Sequence, residues 1–204
     1  MSYYFAIIGT KDNPLFEHEF GTSKQGGDGI ARFRDEARHM NQFIVHSSLD
    51  IVEEVQWGSG QMYVRPFPPS QKPPSLHYPP VHAGAVHTQY LKTIDRYHNN
   101  HISCYLTAGN VKFLLLLSPD THPAAYTASS NTQRPSSAAL ARQTSSSLAA
   151  NPTAPQTEEA IRLFFTEVYD AWVKNLMNPF YLLNAPVRSP VFRGRVMAAG
   201  KKYL

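Results

Sequence analysis

Hydrophobic positions along the chain change period several times, and each change predicts a different element. Tyr3-Tyr4-Phe5-Ala6-Ile7-Ile8 is aromatic and β-branched without a polar break, the pattern of a mostly buried strand. Asp12-Asn13-Pro14 is turn chemistry. Leu15-Phe16-Glu17-His18-Glu19-Phe20 then puts Phe16 and Phe20 on one face of a second strand, so the two strands predict an antiparallel hairpin. A glycine-bearing loop from Gly21 to Gly29 follows. From about Phe33 to Val55 the period becomes helical, with Met40, Phe43, Ile44, Ser47, Ile51 and Val55 as the predicted buried stripe. Arg38, Asn41, Gln42 and Glu53 fall outside it.

Tyr90 to Ile94, His101 to Leu106 and Val111 to Leu117 resume strand patterning. The last two flank Thr107-Ala108-Gly109-Asn110, where Gly-Asn is expected to supply the positive φ values of a tight hairpin turn. Leu114 to Leu117 is apolar at every position, which predicts a central strand covered on both faces. Thr157-Glu158-Glu159 reads as the start of a helix, with Thr157 as its cap and Ile161, Phe164, Phe165, Val168, Trp172 and Leu176 as its apolar stripe. Asn178-Pro179 ends it. Ser189-Pro190 opens a short last helix, Val191 to Ala199, with Gly200 in the position after the cap.

Composition then divides the chain. Seven prolines lie between Arg65 and Pro80, and proline supplies no amide for helix or sheet, so residues 58–88 read as a Pro-rich insertion. Pro66-Phe67-Pro68-Pro69 fits a PxxP ligand, but a linker is the simpler reading. Residues 118–156 are rich in Ser, Ala, Thr and Pro and read as a second, disordered insertion. Without them one domain of roughly 135 residues remains. Its order is β-β-α-β-β-β-α-α: a five-stranded antiparallel sheet of the α/β (α+β) class, one helix on one face and the late helices on the other.

Charge adds little to this. The formal net charge is +4. The basic residues gather only at Arg32, Arg34 and Arg38 and at Arg188, Arg193, Arg195, Lys201 and Lys202, with no nucleic-acid-binding motif, so no nucleic-acid partner is expected. No apolar run approaches the length of a membrane span. The single cysteine, Cys104, sits mid-strand as a small hydrophobe and points to a reducing, cytoplasmic setting.

Nine histidines raise the question of metal, but the closest pair, His98 and His101, lacks ligand spacing and reads as surface; His77, His82, His87 and His122 fall in the insertions. Neither GxSxG nor a phosphate-binding glycine loop occurs. No cofactor and no enzymatic activity are expected. Asp50, late in the first helix with His46 and Glu54 as its i±4 neighbours, reads either as a flank carboxylate or as part of a protein interface.

Specific strings go further. Tyr4-Phe5-Ala6-Ile7-Ile8-Gly9, Asp12-Asn13-Pro14-Leu15-Phe16-Glu17, Asn41-Gln42-Phe43-Ile44, Ser48-Leu49-Asp50-Ile51-Val52 and Tyr90-Leu91-Lys92-Thr93-Ile94-Asp95 resemble the sedlin family. So do Thr107-Ala108-Gly109, Phe164 to Asp170, Met177-Asn178-Pro179-Phe180-Tyr181 and Gly200-Lys201-Lys202. The resemblance runs from end to end except in the two insertions, which the family's shorter members lack. It implies a single longin (SNARE-like) domain over residues 1–204 and a small, non-catalytic subunit of the TRAPP complex. That complex tethers vesicles and activates a Rab GTPase in endoplasmic-reticulum-to-Golgi transport. The implied role is an adaptor between the TRAPP core and accessory subunits, touching the Rab only through the complex and peripheral to endoplasmic-reticulum and cis-Golgi membranes. The acidic position that the family uses for this linkage falls on Asp50. Another longin-domain trafficking protein, SNARE-like or coat-adaptor-like, is the alternative; a SNARE would need a heptad helix and an anchor.

Overall fold

The run Leu114 to Leu117 is the middle of the molecule. In the computed structural model, which describes residues 1–23, 27–33, 35–58, 89–119 and 152–204, it belongs to a five-stranded, wholly antiparallel sheet. The strands are β1 (Ser2–Ile8), β2 (Pro14–Gly21), β3 (Gln89–Tyr97), β4 (Asn100–Leu106) and β5 (Lys112–Ser118), in the order β2-β1-β5-β4-β3. Because side chains alternate across a pleated sheet, an all-apolar strand needs cover on both sides. Leu115 and Leu117 join Phe5 and Ile7 on one face, while Leu114 and Leu116 join Tyr4, Ala6 and Ile8 on the other.

The first face carries α3 (Pro155–Leu176) and α4 (Pro190–Tyr203). It is built from rings: Phe5 meets Phe164 edge-on at 5.3 Å, Phe16 meets Phe192 at 5.2 Å, and Tyr105 stacks on Phe113 at 5.7 Å. Such pairs add about 0.5–1.5 kcal/mol each beyond their buried area. The second face carries α1 (Asp35–Ser47) and α2 (Leu49–Gly58), packed through Ile44, Val45, Leu49 and Val52. Cys104 is fully buried there, and burial pushes its thiol well above the ordinary range.

The expected fold stands, with several local corrections. The single predicted first helix is two. Ser48 lies between them, and Ser47 and Ser48 turn their hydroxyls back onto the carbonyls of Ile44 and Val45, each at 2.8 Å, competing with the helical ladder. The buried stripe is rotated by one position from the expected one, running Asn41, Ile44, Val45, Ser48, Leu49, Val52, while Phe43 and Ser47 face solvent. Two polar residues, Asn41 and Ser48, are therefore inside the packed face. The β4–β5 turn is a three-residue loop closed by Thr107 N to the Val111 carbonyl, and Asn110 (φ 57°), not Gly109, takes the left-handed conformation. The β1–β2 turn repeats that geometry with Asp12 at φ 55°.

Helix α3 begins at Pro155 after Ala154, so Thr157 lies inside it and does not cap it, and Leu176 is part-exposed at its far end. Helix α4 does start with Ser189 accepting from Phe192 N, but it continues through Gly200 to Tyr203. Gly200 serves packing: a Cβ there would lie 2.4 Å from Phe20 Cε1. His98 is exposed as expected, whereas His101 is buried. Most of the two proposed insertions, together with Pro66 to Pro69, His77, His82, His87 and His122, lies outside the described residues.

Candidate interaction surface

Helices α1 and α2 bury one side on the sheet and leave the opposite side bare. Counting in helical steps along that outer side gives Phe43, His46, Ser47, Asp50, Glu54 and Trp57, and all six are exposed. The three residues expected from the sequence fall on this one ridge: His46 in the last turn of α1, Asp50 in the first turn of α2, and Glu54 one turn later. No hydrogen bond or ion pair links them among the described residues. Asp50 is favoured where it stands by the positive end of the α2 dipole, and its carboxylate makes no side-chain bond among the described residues.

Sequence reasoning missed the two ends of the ridge. Phe43 is 61% exposed and Trp57 is 74% exposed. Large rings are thus left in water on either side of a carboxylate with no side-chain partner among the described residues, and exposed aromatics are the side chains from which binding energy is most often drawn. The only hint in the sequence was negative: a stripe containing Asn41 and Ser48 in place of Phe43 looks less apolar, so hydrophobicity alone selects the wrong rotation.

Neighbouring acidic residues are already engaged. Glu53, one step off the ridge, faces the buried Lys112 ammonium at 3.7 Å. Glu17 accepts from Tyr4 Oη at 2.8 Å and from Gln42 Nε2 at 3.0 Å, and Glu19 is held by the Arg38 guanidinium. Burial, aided by the Glu17 contact, raises the Tyr4 phenol far above its ordinary value, so it stays a neutral donor.

At the opposite side of the sheet an apolar cavity of about 370 Å³ lies among Leu15, Val111, Trp172, Val173 and Leu183. Its polar lining consists of Thr10, Thr107, Asn184 and the phenols of Tyr169 and Tyr181, with no carboxylate, imidazole, amine or guanidinium among its lining residues. Among the described residues no cluster of three or more His, Cys, Asp or Glu side chains could hold a metal, and no helix is long and apolar enough to cross a membrane.

Residues 7–202 match the family model described as sedlin. The chain is 32% identical over 204 residues to the transport protein particle 20 kDa subunit of Schizosaccharomyces pombe, covering all of both chains. It is 30% identical over 213 residues to trafficking protein particle complex subunit 20 of Saccharomyces cerevisiae, covering all of this chain and 99% of the other. A Drosophila melanogaster protein named probable trafficking protein particle complex subunit 2 is 27% identical over 203 residues, across all of this chain and 97% of that one. With a fold of the longin type and a family match spanning nearly its whole length, the chain belongs to the sedlin family.

Proposed function

We propose that this chain is a non-catalytic adaptor subunit of a TRAPP-type vesicle-tethering complex, joining the core of that complex to its accessory subunits. On this reading it works in endoplasmic-reticulum-to-Golgi transport. It sits in the cytoplasm at the membrane periphery and reaches a Rab GTPase only as part of the assembly. The relatives' names as trafficking-particle subunits support membership. The observation that supports the adaptor role is the Asp50 carboxylate, without a side-chain partner among the described residues, at the middle of an outward ridge with His46 and Glu54 beside it and bare rings at both ends.

A partner that presents a cation to Asp50 and covers Phe43 and Trp57 would bury apolar area and a charge pair together, the combination that gives specificity along with affinity. The test is affinity purification of the tagged chain beside its Asp50→Tyr form, with identification of co-purifying proteins. The expected result is retention of core subunits and loss of accessory subunits by the variant. An unchanged set of partners would remove the ridge from the interface.

A further inference from the structure

The segment between α3 and α4 is held firmly, yet it shows its bulkiest side chains to water. Tyr181 turns inward, its ring 6.0 Å from Trp172 and its hydroxyl donating to the Ala185 carbonyl. Phe180 N donates to Asn178 Oδ1, Ala185 N to the Leu182 carbonyl, and Val187 N to the Leu15 carbonyl. Asn184 accepts from Thr10 N at 3.0 Å, and its carbonyl accepts from Asn13 Nδ2. On this fixed backbone Met177, Phe180, Leu182 and Leu183 point outward, with Phe180 89% and Leu183 82% exposed. Four large apolar side chains projecting from a hydrogen-bonded loop mark a surface that something apolar covers.

Charge says what kind of partner fits. From Ala171 to Tyr203 there are six cationic side chains, Lys174, Arg188, Arg193, Arg195, Lys201 and Lys202, and no Asp or Glu. Two cations flank the loop: Arg188 follows it in sequence, and Lys11 is next to Thr10, which holds Asn184. Both are exposed, and neither has an ion-pair partner among the described residues. The acids that adjoin these segments in sequence are occupied, Asp12 by the buried Lys112 and Asp170 by Lys174. Lys174 is paired with Asp170 and Lys202 with Glu167, so Lys11, Arg188, Arg193, Arg195 and Lys201 are the cations of these segments without an ion-pair partner among the described residues.

We infer that the loop 177–184 docks on an anionic lipid bilayer, with Phe180, Leu182 and Leu183 entering between the headgroups and Lys11 and Arg188 on the lipid phosphates and carboxylates. A bilayer is deformable, so it accepts a protruding tip without a matching socket, and each lysine or arginine near an anionic surface adds to the attraction. This contact is separate from the ridge on α1 and α2, and it stands or falls independently of the adaptor reading.

The experiment is co-sedimentation of the full chain with vesicles of phosphatidylcholine alone and of phosphatidylcholine with phosphatidylserine, at low and high salt. Binding is expected to need phosphatidylserine and to weaken with salt. It should fall about tenfold or more both in a Phe180→Ser, Leu182→Ser, Leu183→Ser chain and in a Lys11→Glu, Arg188→Glu chain, each melting as the native chain does. No binding to the anionic vesicles overturns the inference. So does native-like vesicle binding by the apolar triple variant; if that variant instead loses a protein subunit, the loop is a protein contact.

Discussion

The Lys112 ammonium, with only 1% of its side chain exposed, donates to the Asp12 carboxylate at 2.9 Å across the end of the sheet. Asp12 sits at the left-handed position of the β1–β2 turn and Lys112 opens β5, so the pair ties a turn to the central strand, with Glu53 of α2 as a more distant second acid. Removing one partner of such a pair leaves a charge buried without compensation, whereas removing the charge itself leaves an apolar stem in an apolar place. Asp12→Asn keeps the left-handed preference, because asparagine tolerates that conformation, and so isolates the electrostatic loss. It is expected to cost about 1–2 kcal/mol, moderated by Glu53 and by the solvent access of Asp12. Lys112→Met should cost less. Urea unfolding of both variants checks the order; a larger loss for Lys112→Met would contradict it.

Two glycines in α4 should respond in opposite directions. At Gly200 a methyl group would press into the Phe20 ring, which is itself confined by His18 at 4.6 Å and Phe164 at 5.7 Å. Gly200→Ala should therefore destabilise by about 1–3 kcal/mol through overpacking. At Gly194 nothing lies within 4 Å of the added carbon. Gly194→Ala should stabilise by about 0.5–1 kcal/mol, since alanine is the better helix former and has less backbone freedom to lose. Thermal melts of the two single variants read both signs.

His18 and His101 give the stability a pH dependence. Burial holds both imidazoles below their ordinary value, with Arg193 adding to the effect at His18 and Arg96 at His101. Well above pH 6.5, the ordinary imidazole value, neither the folded nor the unfolded chain is protonated there, and the full stability is present. As pH falls below that point the unfolded chain takes up protons that the folded one refuses, so stability declines until the lower folded-state values are passed. The slope is at most about 1.4 kcal/mol per pH unit for each histidine. Asp28 and Glu159, whose carboxyls are held below the usual carboxylate range, change only at lower pH. Melting temperature should thus drop between pH 7 and pH 5, and a His18→Gln, His101→Gln chain should drop less.

Element order, sheet membership and the central place of Leu114 to Leu117 were legible because they depend on period and on turn residues, which sequence displays directly. Rotation of the first helix pair was not. A hydrophobicity count favours Phe43 over Asn41, yet the sheet side is occupied by Asn41 and Ser48 beside Ile44, Val45, Leu49 and Val52, so four apolar anchors set the rotation and carry two polar residues inward with them. Gly200 misled for a similar reason: glycine after an apolar run signals a helix end, unless a ring from a distant strand, here Phe20, demands the space. Asp50 entered from its place on the helix, with His46 and Glu54 as its i±4 neighbours, as a flank or interface carboxylate, and resemblance to the family then singled out Asp50 alone. The apolar loop was invisible because exposed Phe180 and Leu183 look, in a sequence, like any other core residues.

The ridge on α1 and α2 separates binding from folding in a way that a single pair of substitutions can show. Phe43 is exposed, so Phe43→Ser removes no buried contact and should change stability by no more than about 0.5 kcal/mol. Its neighbour Ile44 lies against the sheet, and Ile44→Ala should cost about 2–4 kcal/mol through the lost contacts and the cavity left behind. If the ridge is the contact surface, Phe43→Ser and Trp57→Ser should each weaken capture of accessory subunits by about tenfold or more while melting like the native chain. Ile44→Ala should lower the melting temperature, and the fraction that remains folded should still capture partners, because its outer side is intact. Pairing melting curves with quantitative co-purification reads both effects at once. A Phe43→Ser chain that loses stability but keeps its partners would mean that this ring packs against the body of the protein, and the outward ridge would have to be given up.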